Sequence, residues 1–180
     1  LVESNAPGVT VTSVSQHDGS FAGDVVFADA PGEALDGTLA QMFEESALAN
    51  AAYLLGTMDA AFEITLAYLN VRKQFGKAIG SFQALQHRAV DMKIQIELTR
   101  AVLNEAVAAL DAGTGDAAAT RSLVSRVKAR AGDAAMLVAK ESVQFHGAMG
   151  VTDECDIGLY ARKILTVHND WGSVFAQRQR

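Results

Sequence analysis

The sequence predicts a mainly α-helical protein, an antiparallel four-helix bundle preceded by a short β segment. From about residue 39, apolar residues recur with the helical period of 3.6 in four segments, separated by short loops that contain glycine. Before that point, apolar and polar residues alternate, which is the period of a strand. We therefore expect two parts, residues 1–36 and residues 37–180.

Composition narrows the classes of function. Of the 180 residues, 49% are hydrophobic and 20% are charged, so a chain of this length can bury a core. The net charge of −6 argues against nucleic acid as a partner, and the absence of a long apolar run predicts no membrane span. The single cysteine, Cys155, excludes an internal disulfide and favours a cytoplasmic protein. The four histidines show no metal-ligand spacing.

The β segment consists of two expected strands, within residues 9–12 and 21–27, joined by a turn at Asp18-Gly19. Pro31-Gly32 ends the pattern. An isolated two-stranded hairpin is only marginally stable in water. We therefore expect these strands either to belong to a larger sheet or to lie on the helices.

The four helices are expected at about residues 40–71, 81–112, 117–145 and from 152 onward. Ser81 is a favourable N-cap for the second helix. Acidic residues near Thr152 suit the first turn of the fourth helix, and Gly172 should end or bend that helix. The apolar stripes predicted to face the core are as follows. They comprise Ala47, Ala51, Leu54, Leu55, Met58, Phe62, Leu66 and Leu69, then Phe82, Leu85, Ala89, Met92, Ile96, Thr99, Leu103, Ala106 and Leu110, then Leu123, Val127, Ala131, Ala134 and Val138, and finally Ile157, Tyr160, Ile164, Val167, Trp171 and Val174.

Four segments contain residues suited to binding or chemistry. Residues 68–77 bring an arginine, a glutamine, an aromatic residue and a glycine to one helix end, which could hold a phosphate and a flat group. Taken alone, a basic helix C-terminus explains that pattern better. By themselves, residues 79–87 indicate only the start of a helix. Residues 144–150 indicate only a helix end that is rich in glycine, where a backbone could approach a ligand closely. In residues 162–173, His168 and Asp170 could perform acid–base work, although a structural histidine is more common.

Taken together, these segments resemble the acyl-CoA dehydrogenase family. RKQFGKAIGSFQALQHRAVDM and QFHGAMGVTDE look like the two C-terminal signatures of that family, and the likeness covers nearly all of residues 40–180. FAGDVVFADAPGEALDG resembles the end of the family's middle β-domain and its linker. The resemblance implies a flavoenzyme in which a carboxylate takes the α-proton of an acyl-CoA thioester and FAD takes the β-hydride.

The resemblance also implies cofactor-binding residues, with FAD held across a subunit interface. On the family's pattern, the dinucleotide would be bound by Arg72, Gln74, Phe75, Phe82, Gln83, Gln144, His146, Gly147 and Ala148. Members of the family are usually oligomers, so we expect a homo- or hetero-oligomer. Its partners would be an acyl-CoA substrate and an electron-transfer flavoprotein or similar acceptor.

The sequence departs from the family's pattern at the catalytic glutamate. Counting from Gln144, the usual position falls on Trp171, which cannot act as a base. A subset of the family places the glutamate in the first helix, where the matching residue is Ser46. Glu45 and Asp170 are each one residue away, and one residue turns a side chain about 100° around a helix.

Three explanations of this departure remain open. Asp170 or Glu45 could be a displaced base, and Asp170 is the preferred candidate, or the base could lie elsewhere. Alternatively, the chain could be a subunit without a working site, because it resembles small-subunit members such as those of pimeloyl-CoA dehydrogenases. Since the family's N-terminal helical domain and most of its β-domain are not in the sequence, we expect the chain alone to bind FAD weakly or not at all, and to be inactive.

Overall fold

A computed structural model describes residues 1–35, 39–113 and 116–180. Helices dominate the described chain, as the sequence predicts. Two strands, β1 (Val9–Ser15) and β2 (Phe21–Phe27), pair in antiparallel register with Val9 opposite Phe27. The helices are α1 (Leu39–Val71), α2 (Gln83–Asp111), α3 (Ala117–His146), α4 (Ile157–Val167) and α5 (Val174–Arg178).

Helices α1, α2 and α3 run up, down and up, as the contacts between their ends show. Helix α1 packs most extensively on α3. Helix α4 returns along α1 and α3, and α5 packs on α3. The predicted stripes form the core, with Leu54, Met58, Met92, Val127 and Ile164 fully buried. Burying each such side chain contributes about 1.5–3 kcal/mol, so this seam supplies most of the stability of the bundle.

Three of the sequence-based details are wrong. Helix α2 begins one residue beyond Phe82, and Ser81 is not its N-cap, because residues 79–81 form a 3₁₀ turn in which the Ser81 hydroxyl donates to Ala78 O. Helix α4 begins at Ile157, so the acidic residues after Thr152 precede it. Leu66 is exposed, and Thr65 takes its place in the core by donating its hydroxyl to Ala61 O.

The fourth helical segment is also shorter than predicted, since α4 ends at Val167 and a turn separates it from α5. Trp171 and Gly172 in that turn have φ angles of +60° and +103°, which no α-helix accommodates. Gly172 lies in this turn, but the helix that it was expected to end or bend already ends at Val167. The stripe predicted to continue through Trp171 to Val174 is therefore divided between two elements.

The hairpin of β1 and β2 is exposed on both faces, so it does not lie on the helices through an apolar face. Its turn is nevertheless attached to the bundle, because the side chain of Asp18 is buried against the ammonium group of Lys163 on α4. Among the described residues, no helix has the length and apolar character needed to cross a bilayer. Within the same residues, no cluster of His, Cys, Asp or Glu is suited to hold a metal ion.

Candidate functional site

The corner that follows α1 is a tight hairpin of two short strands, β3 (Lys73–Gln74) and β4 (Lys77–Ala78). Its two-residue loop is Phe75-Gly76, with φ angles of +53° and +80°. Such a loop needs two left-handed residues, which asparagine and glycine adopt readily and phenylalanine does not. Phe75 is nevertheless 89% exposed. A strained backbone that presents an aromatic ring to solvent indicates a binding role more than a packing role.

The surroundings of this ring are cationic and aromatic. The Phe82 ring meets Phe75 edge to face at 6.1 Å, and the ammonium group of Lys77 lies 4.3 Å from the centre of the Phe82 ring. The side chains of Arg72, Gln74 and Gln83 are all exposed. A guanidinium group and an ammonium group beside two rings suit a ligand that carries both phosphate and a flat ring system.

The corner is held firmly to the helix before it. Ile79 N donates to Arg72 O at 2.8 Å, which closes the hairpin back onto the end of α1. Gly80 packs so tightly on that end that a Cβ atom there would lie 2.9 Å from Leu69 O. The exposed groups therefore stand on a rigid base, which reduces the entropy lost when a ligand binds.

The end of α3 lies beside this corner. The ring of His146 is buried and stacks on Tyr68, with 4.3 Å between the ring centres. Its Nδ1 lies 2.7 Å from Ser142 O and, because a carbonyl only accepts, that nitrogen carries a proton. The structure thus places the imidazole of His146 inside the protein rather than at the surface. Tyr68 was not predicted, although it immediately precedes the corner motif.

Three other predicted cofactor residues, Gln144, Gly147 and Ala148, line one open groove of about 590 Å³ between α3 and α4. Gly147 has a φ of +59°, and no atom lies within 4 Å of the place where its Cβ would stand. A ligand can therefore approach the backbone closely at this point. The remaining lining is mostly apolar and includes one cation, Lys140, which the sequence did not single out.

The two candidate positions for the family's glutamate converge in space. Ser46 on α1 and Trp171 after α4 line the same pocket of about 380 Å³, together with Ala49, Asn50, Tyr53, Lys163 and Val167. Among the residues lining this pocket, none is a carboxylate. Its cation, Lys163, is bound by Asp18, and that hydrogen bond raises the pKa of Lys163 and holds the pKa of Asp18 well below its usual range.

The proposed displaced bases lie away from that pocket. Glu45 lines a separate cavity between α1 and the ends of α2 and α3, where Gln41 Nε2 donates to its carboxylate at 2.9 Å. Asp170 is exposed, and its charge acts on the ammonium group of Lys128. The structure brings Ser46 and Trp171 together and leaves Glu45 and Asp170 outside the pocket that these residues share.

The family model of the acyl-CoA dehydrogenase C-terminal domain matches residues 37–168. The chain belongs to the acyl-CoA dehydrogenase family, whose members are FAD-dependent oxidoreductases. The acyl-CoA dehydrogenase IpdE2 of Mycolicibacterium smegmatis is 37% identical over 122 residues, which cover 67% of this chain and 36% of that protein.

Solved structures share the fold. A variant of the Tcur3481-Tcur3483 steroid ACAD superposes with a TM-score of 0.92 at 30% identity, over 99% of this chain and 49% of that one. The ChsE4-ChsE5 complex from Mycobacterium tuberculosis gives a TM-score of 0.91 at 26% identity, over the same shares of each chain. The chain thus spans about half the length of these structures and about a third of the length of IpdE2.

Proposed function

We propose that this chain supplies the helical C-terminal part of an FAD-dependent acyl-CoA dehydrogenase, which carries out α,β-dehydrogenation of an acyl-CoA thioester. The observation that carries the proposal is the strained, solvent-exposed Phe75 beside Arg72 on a rigid corner. A fold that needed only to pack would place a residue there that adopts the left-handed turn without cost. The single cysteine is consistent with our proposal of a cytoplasmic location.

The residues present fit an FAD molecule in two places. At the corner, the guanidinium group of Arg72 would pair with phosphate and the ring of Phe75 would contact a flat group. At the groove, the backbone at Gly147 and the amide of Gln144 would receive another part of a dinucleotide. When bound, FAD would supply the acceptor for the substrate hydride. His146 would act indirectly, by fixing the end of α3 against Tyr68.

The geometry also favours an assembly in which each FAD contacts more than one chain. Ser46 lies on helix α1, and Arg72 directly follows the last residue of that helix, Val71. At 1.5 Å per residue their separation is about 39 Å, which is farther than one FAD molecule extends. The pocket at Ser46 and the corner at Arg72 would therefore serve different FAD molecules, as in a dimer or a larger homo- or hetero-oligomer. An electron-transfer flavoprotein or similar protein would be the electron acceptor.

The chain alone should be inactive and should hold FAD weakly. Backbone amide NMR with millimolar FAD tests the binding residues. We expect shifts at residues 72–83 and 144–148, and their loss in the Arg72→Ala, Phe75→Ala double variant. The matched control is Arg126→Ala, at an exposed arginine on α3, which should leave the shifts intact. Shifts confined to other regions would contradict the assignment of the site. Chain that stays yellow after desalting would contradict weak binding.

A second function is favoured by the pocket at Ser46, in which no lining residue is a carboxylate. The chain would then be a non-catalytic subunit that completes an oligomer with an active partner. A longer protein containing this chain should be purified and assayed with acyl-CoA and an artificial electron acceptor. Activity of that protein alone supports the first function. Activity that requires an added partner subunit supports the second.

A further inference from the structure

The turn that follows α4 holds a tryptophan under strain. Trp171, the only tryptophan in the chain, has a φ of +60°, a conformation that bulky residues rarely adopt. Its side chain remains 42% exposed and lines the same pocket as Ser46. Burial in the core therefore does not account for the strain. A residue keeps such a conformation only when its surroundings enforce it.

Two contacts enforce the position of the indole. The Phe43 ring on α1 meets the Trp171 ring edge to face at 5.8 Å between centres. The amide of Gln177 on α5 donates to Trp171 O at 2.5 Å, and the Gln177 side chain is buried. One contact fixes the ring and the other fixes the backbone of the same residue.

A buried charge anchors this arrangement. The guanidinium group of Arg180 lies 4.5 Å from the centre of the Phe43 ring and pairs with Glu44 at 2.5 Å. Glu44 is only 7% exposed, and Arg121 approaches the same carboxylate oxygen at 3.6 Å. A carboxylate buried to this degree is tolerated only with its cations in place, so Arg180 is held against Phe43.

We propose that Glu44, Arg180 and Gln177 are positioning residues for Trp171. The indole that they hold in place makes an apolar contact with the acyl group of a bound ligand, at the position where a catalytic base would otherwise stand. The position then contributes to substrate binding and exchanges no proton with the substrate. The positioning follows from the contacts within this chain. The acyl ligand rests on the proposed function.

Fluorescence of the single tryptophan reports on the array directly. In Glu44→Gln and Arg180→Ala, we expect the emission to shift to longer wavelength and acrylamide to quench it more strongly than in the unaltered chain. Asp133→Asn is the matched control, because it breaks an exposed ion pair with Arg178 on α5 without touching the array. Arg180→Lys keeps the charge but not the planar contact with Phe43, so its quenching should be intermediate.

The outcomes separate the two parts of the proposal. Unchanged emission and quenching in Arg180→Ala and Arg180→Lys would overturn the positioning role. These two variants test that role even if Glu44→Gln fails to fold. Millimolar hexanoyl-CoA should alter Trp171 emission in the unaltered chain, less so in Arg180→Ala, and CoA alone should not. Positioning effects without any response to hexanoyl-CoA would overturn the acyl contact alone. Failure of FAD binding at Arg72 would instead contradict the proposed function and leave the positioning role of Glu44, Arg180 and Gln177 intact.

Discussion

At the scale of single residues, the backbone of Phe75 lowers the stability of the chain while its ring is exposed to solvent. Its left-handed backbone is costly for a phenylalanine, whereas Asn-Gly is the favoured pair for a two-residue hairpin loop. We expect Phe75→Asn to raise the free energy of unfolding by roughly 0.5–1 kcal/mol, net of the lost edge contact with Phe82. Urea denaturation measures the change, and the same variant should weaken the NMR response to FAD.

The control for this prediction is Gly76→Ala, at the other residue of the loop. With a φ of +80°, Gly76 should not tolerate a side chain, and its substitution should lower stability while leaving the Phe75 ring in place. A destabilised Phe75→Asn chain would show that the corner is built for packing. The changes in the free energy of unfolding expected for Phe75→Asn and Gly76→Ala have opposite signs, so the pair of variants tests backbone strain in particular.

Prediction from the sequence identified most core residues correctly. It failed where a single side-chain contact determines which residue is buried or which residues pack together. Periodicity identified Leu54, Met58 and Met92 because a helix face is set by spacing alone. Leu66 was wrong because Thr65 can satisfy its hydroxyl within the helix and so enter the core. The stacking of His146 on Tyr68 joins residues far apart in sequence, and spacing within one helix carries no information on such a pair.

At the scale of elements, the ion pair of Asp18 and Lys163 attaches the turn of the hairpin of β1 and β2 to α4. The strands are exposed, and the turn reaches α4 through Asp18 and Lys163. We expect Asp18→Asn to increase amide hydrogen exchange throughout the hairpin while exchange in the core of α1 and α3 stays slow. Asp24→Asn, at an exposed carboxylate on β2, is the matched control and should have no effect.

The pH dependence of this attachment follows from the Asp18 carboxyl. Lys163 and Ser20 hydrogen-bond to it and hold its pKa well below the ordinary value of 3.8. A lowered carboxyl pKa stabilises the attached state fully above the ordinary value, and that contribution declines as the pH falls below it. Hairpin exchange in the unaltered chain should approach that of Asp18→Asn as the medium is acidified. A difference in hairpin hydrogen exchange between the unaltered chain and Asp18→Asn that stays the same at every pH would contradict this account.

Element boundaries were predictable only where a local signal set them. Asp116 caps α3 by accepting from Ala119 N at 2.7 Å, and the predicted start at Ala117 is correct. Ser81 carries the same type of signal, yet its hydroxyl is used within the preceding 3₁₀ turn. A side chain that can cap a helix can equally satisfy a turn, and tertiary packing decides between these uses.

At the scale of the whole molecule, the bundle keeps two candidate regions apart. The corner at Arg72 and the pocket at Ser46 lie toward opposite ends of α1, so the helix length sets which FAD each region would serve. Periodicity predicted that length and hence the separation. It could not predict that Ser46 and Trp171 share a pocket, because that depends on the turn after α4. The division at residues 36 and 37 stays a prediction.

The stability of the whole bundle also includes the cost of a fully buried lysine. Lys128 on α3 has no exposed surface, and its ammonium group donates to His168 O at 2.7 Å, at the C-terminal end of α4. Burial lowers the pKa of Lys128 to about 8, although the nearby charge of Asp170 opposes the shift. The cation therefore gains a hydrogen bond and a favourable position at the helix end, but loses more through desolvation.

A lysine whose pKa is lowered by folding makes the unfolded chain the stronger proton acceptor, so stability should rise with pH between the two pKa values. With about 8 in the folded chain and 10.5 as the ordinary value, the free energy of unfolding should rise by about 2 kcal/mol from about pH 7 to about pH 9.5. Urea denaturation at each pH measures the free energy of unfolding of the unaltered chain and of Lys128→Met. The difference between the two values removes the effects of other titrating groups. Lys140→Met, at an exposed lysine on the same helix, should differ from the unaltered chain by a constant amount. A constant difference for Lys128→Met as well would show that the ammonium group is solvated in the folded protein.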